Sequence, residues 1–302
     1  MTVAWWAWVA VVACLAVLLT VDLLSAPGGQ HSDLLRPLLA ASAWIGSAVI
    51  FGIVLAFWQG SHAAAQYFSG YLLEKSLSID NIFVFAVIFR SLSVPHELQH
   101  RVLYYGVIGA LSLRGAFIAS GGALIDHIDW MIYPFGGLIL LAGARMIRGE
   151  NVHPRRNLAV RLAGAIIPIT PQYFGPRFFT TVHGRRVGTG LLAALITIEA
   201  TDLVFAMDSI PAIFGITRNL FIVFTSNAFA VLGLRSLYFL VIEAMSRFAY
   251  LSRGIALLLL FIGFKMLLSR LITIPTTGTL AVIIAIIVFS VLASICQHHF
   301  QH

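Results

Sequence analysis

Nine apolar stretches, most of them close to twenty residues long and bounded by Gly, Pro or charge, fall at about 3–24, 38–58, 64–89, 102–124, 130–147, 188–213, 221–244, 254–270 and 278–296. A helix needs roughly 20 mostly apolar residues to cross a hydrocarbon core about 30 Å thick, so the pattern dictates a chain that lives in a bilayer. Membrane-spanning strands would be about ten residues long with polarity alternating at every second position. These segments are about twice that length and apolar on all sides. The expected fold is all-α: a polytopic membrane protein with a single transmembrane domain over 1–302. Composition agrees, with 60% apolar residues, 10% charged residues and a mean hydropathy of +0.94, where soluble domains carry about a quarter charged residues.

The net charge of +7 does not point to nucleic acid, because no soluble module with a basic face is visible. Cys14 and Cys296 stand alone in apolar segments near opposite ends, without CxxC spacing, so neither a zinc site nor a disulfide framework is indicated. The first stretch lacks a positive n-region and a clean cleavage site and reads as a retained span. Positive loops stay cytoplasmic. The connection RGENVHPRRNLAVRLAGAIIPITPQYFGPRFFTTVHGRR carries Arg148, Arg155, Arg156, Arg161, Arg177, Arg185 and Arg186 and is expected inside. Counting from it puts Arg36, Arg90, Arg101, Arg247 and Arg253 inside, and only Arg218 and Arg270 outside. The expectation is a multi-pass protein of a bacterial-type plasma membrane, N-terminus outside and C-terminus cytoplasmic. Within the basic loop AVRLAGAIIPI reads either as an amphipathic piece on the inner surface or as plain linker. Asp126, His127 and Asp129 read as a solvated outer turn, and the tail with His298, His299 and His302 as a polar terminus.

The chain also resembles itself. SIDNIFVFA (78–86) aligns with ATDLVFAMD (200–208), ALSLRGAFI (110–118) with VLGLRSLYF (231–239), and LLAGARMI (140–147) with the start of LFIGFKMLL (260–268). Asp80 thereby pairs with Asp202, Arg114 with Arg235 and Gly143 with Gly263, at offsets of 122, 121 and 120. The expected organisation is a first three-helix repeat over 64–147, a basic cytoplasmic loop over 148–187 and a second repeat over 188–270. Three crossings per repeat make the second copy enter from the opposite face, the arrangement of many secondary transporters, whose sites lie near the midplane between repeats.

The third and sixth apolar stretches hold five acids: Glu74 and Asp80 in the third, Glu199, Asp202 and Asp208 in the sixth. An acid at the centre of a spanning helix costs about 2.5–3.5 kcal/mol on insertion scales, so something must offset them. Glu74, Ser78 and Asn81 form one stripe at helical spacing, and Glu199 and Asp202 share a face, while Asp80 and Asp208 point elsewhere on straight helices. Either the helices are interrupted near SID and MDSIP, or each shows different faces to different neighbours. Pro211, three residues after Asp208, favours local unwinding of the sixth span. Lys75, Arg114 and Arg235 are the intramembrane bases, and each could neutralise one acid. The remaining excess of two negative charges suits a divalent cation held by oxygen ligands, manganese, magnesium or calcium. The candidate metal positions are Glu74, Asp80, Asn81, Glu199, Asp202 and Asp208, with Lys75, Ser78, Arg114, Thr201, Ser209, Asn227 and Arg235 as supporting polar or charged partners. Glu74 and Glu199 read alternatively as gates or proton carriers. Asp208, aligned with Ala86, has no acidic counterpart in the first repeat.

Over about 65–270, on EKSLSIDNIFVF, VPHELQHRVLYYGVIGALSLR and EATDLVFAMDSIPAIFGITRNLFIVFTSNAFAVLGLRSLYFL, the chain resembles the TerC family of integral membrane proteins, within the wider LysE-like group. The resemblance implies Mn²⁺ export, links to tellurite resistance and metal stress, and functional roles for Glu74, Asp80, Asn81, Glu199, Asp202 and Asp208. The resulting expectation is a non-enzymatic divalent-metal transporter exporting Mn²⁺ by alternating access, with proton antiport and no resident cofactor. A LysE-type small-solute exporter, and a membrane scaffold docking protein partners at the basic loop, are the alternatives.

Overall fold

In the computed structural model the described residues are 3–24, 35–120, 132–148, 168–182, 184–247, 250–268 and 276–300. Among them ten helices run in the order α1 (Trp5–Leu24), α2 (Leu35–Gln59), α3 (Ser61–Leu92), α4 (His96–Ala119), α5 (Ile132–Ile147), α6 (Gly190–Ile216), α7 (Leu220–Val231), α8 (Leu234–Arg247), α9 (Leu251–Leu267) and α10 (Thr276–Phe300). Among the described residues each of the nine apolar stretches is mostly helical, and the protein is an all-α polytopic membrane protein. Five helical stretches among the described residues are long and apolar enough to cross a bilayer: Trp5–Leu23, Leu35–Gln59, His96–Ala119, Gly190–Ile216 and Leu220–Ala244. The outer surface is built accordingly. Phe57 is 89% exposed and Leu39 67%, as expected where lipid rather than water covers a helix and apolar exposure carries no penalty.

The 32-residue α3 lies at the centre, packed against α2, α6, α7 and α8. It ends where Ser93 takes a left-handed conformation (φ 54°) and the Val94 N–H donates back to the Phe89 carbonyl at 2.8 Å, with Pro95 preventing continuation. The Tyr67 hydroxyl donates to the Ala48 carbonyl at 3.1 Å and pins α3 to α2. On the other flank α5 lies against α9. Gly143 approaches the Ala256 carbonyl and the backbone of Leu260, while Gly263 approaches the Gly136 carbonyl and the backbone of Leu140, so these aligned glycines make reciprocal close approaches. Small residues let helix backbones meet in a membrane, where packing and hydrogen bonds replace the hydrophobic drive.

One expectation is corrected here. Neither α3 nor α6 is interrupted: α3 runs through Ser78–Asp80, and α6 runs through Pro211 to Ile216. The break falls in the seventh span instead, at Leu232–Gly233, where Gly233 has φ +81°. A proline near a helix end removes one hydrogen bond that neighbours can replace. A left-handed glycine redirects the chain. The basic loop ends as a hairpin of β1 (Phe179–Val182) and β2 (Arg185–Gly188), closed by a two-residue connection in which Gly184 has φ +75°. Tyr173 docks this region, donating to the Leu92 carbonyl at 2.7 Å, and burial pushes its hydroxyl up to about 12. Most of AVRLAGAIIPI, with Asp126, His127, Asp129 and His302, lies outside the described residues.

An added Cβ at Gly233 would meet Trp44 Cβ at 2.8 Å and its ring at 2.9 Å, as well as an unfavourable φ. Gly233→Ala should therefore destabilise the protein by about 1–3 kcal/mol, read as a lower thermal-unfolding midpoint in detergent. Gly46→Ala, on a helical stretch of α2 with open space around it, should leave that midpoint unchanged or raise it.

Candidate functional site

The central polar cluster is assembled from four helices. α3 contributes Glu74, Ser78 and Asn81, the stripe anticipated from spacing, each 1% exposed. Glu74 is the fourteenth residue of α3 and Asp202 the thirteenth of α6, so each lies about 20 Å from its helix start at 1.5 Å per residue, near mid-span.

Arg114 of α4, 1% exposed, sits among them. Its Nε donates to Asp202 Oδ2 at 2.9 Å and its Nη2 to Asp202 Oδ1 at 2.9 Å, a bidentate pair. Its Nη1 donates to Glu74 Oε1 and, at 3.0 Å, to Asn227 Oδ1 on α7. Asn227 Nδ2 returns a hydrogen bond to Glu74 Oε2 at 3.1 Å, and Asn81 Nδ2 reaches Asp202 Oδ1 at 3.4 Å. Isolated, either carboxylate would carry a desolvation penalty of several kcal/mol; the guanidinium and the amides offset it for both.

Not every acceptor is satisfied. Ser78 Oγ, Asn81 Oδ1 and Ser209 Oγ are buried without a hydrogen-bond partner among the described residues. Both carboxylate oxygens of Glu199 are in the same condition. Glu199 lies against α4, where an added Cβ at Gly109 would overlap its carboxylate and one at Gly106 would come within 3.8 Å of Oε1. Thr201 donates to the Thr197 carbonyl at 2.7 Å and takes no part in the cluster. The α3 and α6 backbones carry Asp80 and Asp208, whose side chains lie outside the described residues. Among the described residues no group of three or more His, Cys, Asp and Glu is arranged to hold a metal ion.

The bases do not pair one to one with the central acids: among the described side chains Arg114 is the base that meets them, and it bridges two. Lys75 instead donates Nζ to the Ala230 carbonyl at 3.1 Å, with the Leu232 carbonyl at 3.5 Å, and so caps the end of α7 where the seventh span breaks. A cation is favourable there, since a helix C-terminus presents unpaired carbonyls and the negative end of the dipole. Arg235 turns to α1: its Nε lies 3.1 Å from Asp22 Oδ2 and its Nη2 donates to the Asp22 carbonyl at 2.7 Å. Asp22 escaped the sequence reading, although a lone acid ending a first span of otherwise apolar residues was a visible signal. A second polar contact was also missed: the Tyr238 hydroxyl donates to Gln99 Oε1 at 2.8 Å beside a cavity of about 380 Å³ lined by Arg90, His96 and Ile242.

Residues 59–301 match the integral membrane protein TerC family. The chain belongs to that family. Among its relatives, the uncharacterized membrane protein STKORF319 of Myxococcus xanthus is 41% identical over 293 residues, covering 96% of this chain and 92% of that protein. The putative membrane-bound redox modulator Alx of Shigella flexneri is 38% identical over 298 residues, covering 94% and 92%. The uncharacterized membrane protein Rv2723 of Mycobacterium tuberculosis is 39% identical over 271 residues, covering 87% and 68%. No solved structure matches the chain.

In this TerC protein the aligned arginines, Arg114 and Arg235, serve different partners, and the second pair can be tested apart from the site. Asp22→Ala should leave Arg235 buried and unpaired and cost about 3–5 kcal/mol. The double change Asp22→Leu with Arg235→Leu should recover most of that loss, as a double-mutant cycle of thermal midpoints would show.

Proposed function

We propose that this TerC protein exports Mn²⁺ from the cytoplasm of a bacterial-type cell by alternating access, through a mid-membrane site built on Glu74 and Asp202. One observation carries the reading. Two buried carboxylates from different helices converge near mid-span, and beside them Asn81 Oδ1 and Ser78 Oγ are buried oxygen acceptors without a partner among the described residues. Carboxylate, amide and hydroxyl oxygens suit hard divalent cations, manganese among them, and no sulfur or imidazole is needed. Intramembrane acids of this kind mark ion pathways. Asp80 and Asp208, one turn or more along the same helices, belong to the same path in this reading.

Moving a divalent cation outward against a negative-inside potential costs about 2.3 kcal/mol per charge per 100 mV, so an inward proton flux is the natural driving partner. In this reading manganese links the chain to the metal-stress role implied by its family resemblance, and a role in tellurite resistance would follow as a secondary consequence of disturbed metal balance. The membrane is crossed with the arginine-rich connection on the cytoplasmic side.

Inverted vesicles, which expose the cytoplasmic face, provide the test. They should accumulate Mn²⁺ faster when the lumen is acidified, and Glu74→Gln or Asp202→Asn should reduce uptake at least about tenfold, the loss expected when a charged ligand worth about 1.4 kcal/mol or more is removed. Cells carrying either variant should hold more manganese. Normal uptake and normal manganese tolerance in both variants would sink the proposal. Uptake of a basic amino acid in place of the metal would favour the small-solute alternative. Loss of function on deleting 151–167 with the acids intact would favour the scaffold.

A further inference from the structure

We propose that Arg114 is an exchangeable counter-cation with two seats: it holds Glu74 and Asp202 when no cargo is bound, and its guanidinium moves to Glu199 when a divalent cation takes its place. The inference rests on the metal-site reading above and names how that site is regulated.

The first seat is the observed one, with four of the five guanidinium N–H groups directed at Asp202, Glu74 and Asn227. Those are the same oxygens a hard cation would need. Arg114 and cargo therefore cannot both occupy the site, and the described arrangement is that of a site already filled by a tethered positive charge.

The second seat follows from what is left without a partner. Both oxygens of Glu199 are buried and unpaired among the described residues, an arrangement that costs free energy and so favours a state that satisfies them. Glu199 precedes Asp202 by three residues on α6, so the two carboxylates share a face about 4.5 Å apart along the axis. Arg114 already touches Asp202. Its side chain, like that of any long helical residue, leans toward the N-terminus of its own helix, which is the direction of Gly109 and Gly106. At Gly109 the missing Cβ leaves room for the Glu199 carboxylate between α4 and α6. A rotation of the terminal dihedrals of Arg114 carries the guanidinium one carboxylate along this face.

The net charge of the cluster stays small in both states. With Arg114 in the first seat, two carboxylates and one guanidinium leave a single negative charge, and Glu199 stands apart. With a divalent cation bound, Glu74, Asp202 and the metal sum to zero, while Arg114 and an ionised Glu199 form a second neutral pair. The empty site never presents two uncompensated carboxylates to the bilayer interior, so it can reorient without cargo. Such a device lets a transporter return after releasing its ion.

Mn²⁺ binding to the full-length protein in nanodiscs, followed by loss of the free-ion electron paramagnetic resonance signal, tests this. If Arg114 holds the site about nine-tenths of the time, Arg114→Gln should tighten Mn²⁺ binding about tenfold, because apparent affinity scales with the competent fraction. Arg114→Lys, which keeps charge but loses the fork, should fall between wild type and Arg114→Gln. Net uptake by Arg114→Gln vesicles should drop, while exchange of labelled for unlabelled Mn²⁺ continues. Glu199→Gln should weaken binding in the wild-type background and have no effect in the Arg114→Gln background. Equal or weaker binding by Arg114→Lys overturns the proposal even if Arg114→Gln fails to fold. Weakening by Glu199→Gln in both backgrounds also overturns it, since Glu199 would then be a ligand rather than a seat. The underlying site reading fails separately, if wild type binds no Mn²⁺ or if Glu74→Gln and Asp202→Asn bind it normally.

Discussion

The guanidinium of Arg114 holds the interior of this protein together. From α4 it reaches Asp202 on α6, Glu74 on α3 and, through Asn227, α7, so four helices meet at one charged group that is 1% exposed. In a bilayer, helix association gains little from burying apolar surface, because lipid is as apolar as leucine. Polar contacts therefore specify which faces meet. Removing any one member of this cluster leaves its partners charged or unsatisfied in a low-dielectric interior, which makes the cluster a structural determinant as well as a candidate site.

The broken seventh span depends on the same region. α7 ends at Val231 and α8 starts at Leu234, and Lys75, adjacent in sequence to Glu74, meets the carbonyls at that break. Two consecutive residues of α3 thus hold both Asn227 and the C-terminal end of α7. The break introduces main-chain carbonyls at membrane depth, which are tolerated only where protein satisfies them. Because α3 and α6 stay continuous, the acids are presented on rigid helices, and the irregular backbone is displaced to a neighbour.

The aligned halves are used unequally. Arg114 serves the centre, whereas Arg235 fastens α8 to Asp22 of α1, a helix outside either repeat. Of the two aligned arginines, Arg235 thus anchors the periphery and Arg114 the buried acids. Gly143 and Gly263, in contrast, make equivalent approaches to each other's helices. Backbone packing tolerates symmetry; a polar cluster with one bridging arginine does not.

Much was legible from residues alone. Apolar length fixed a membrane helical protein, because only helices and closed barrels satisfy their backbone in lipid, and helical spacing placed Glu74, Ser78 and Asn81 on one buried stripe. The acids themselves, as isolated charges in apolar runs, identified the centre. Three things required tertiary structure: that Arg114 bridges two acids, that Lys75 caps carbonyls rather than a carboxylate, and that the chain breaks at Gly233 rather than near Pro211. Each depends on which helix faces which across residue separations of 40 to 157. Spacing along one helix constrains faces through local geometry, but partners between helices are set by packing, which no single segment encodes.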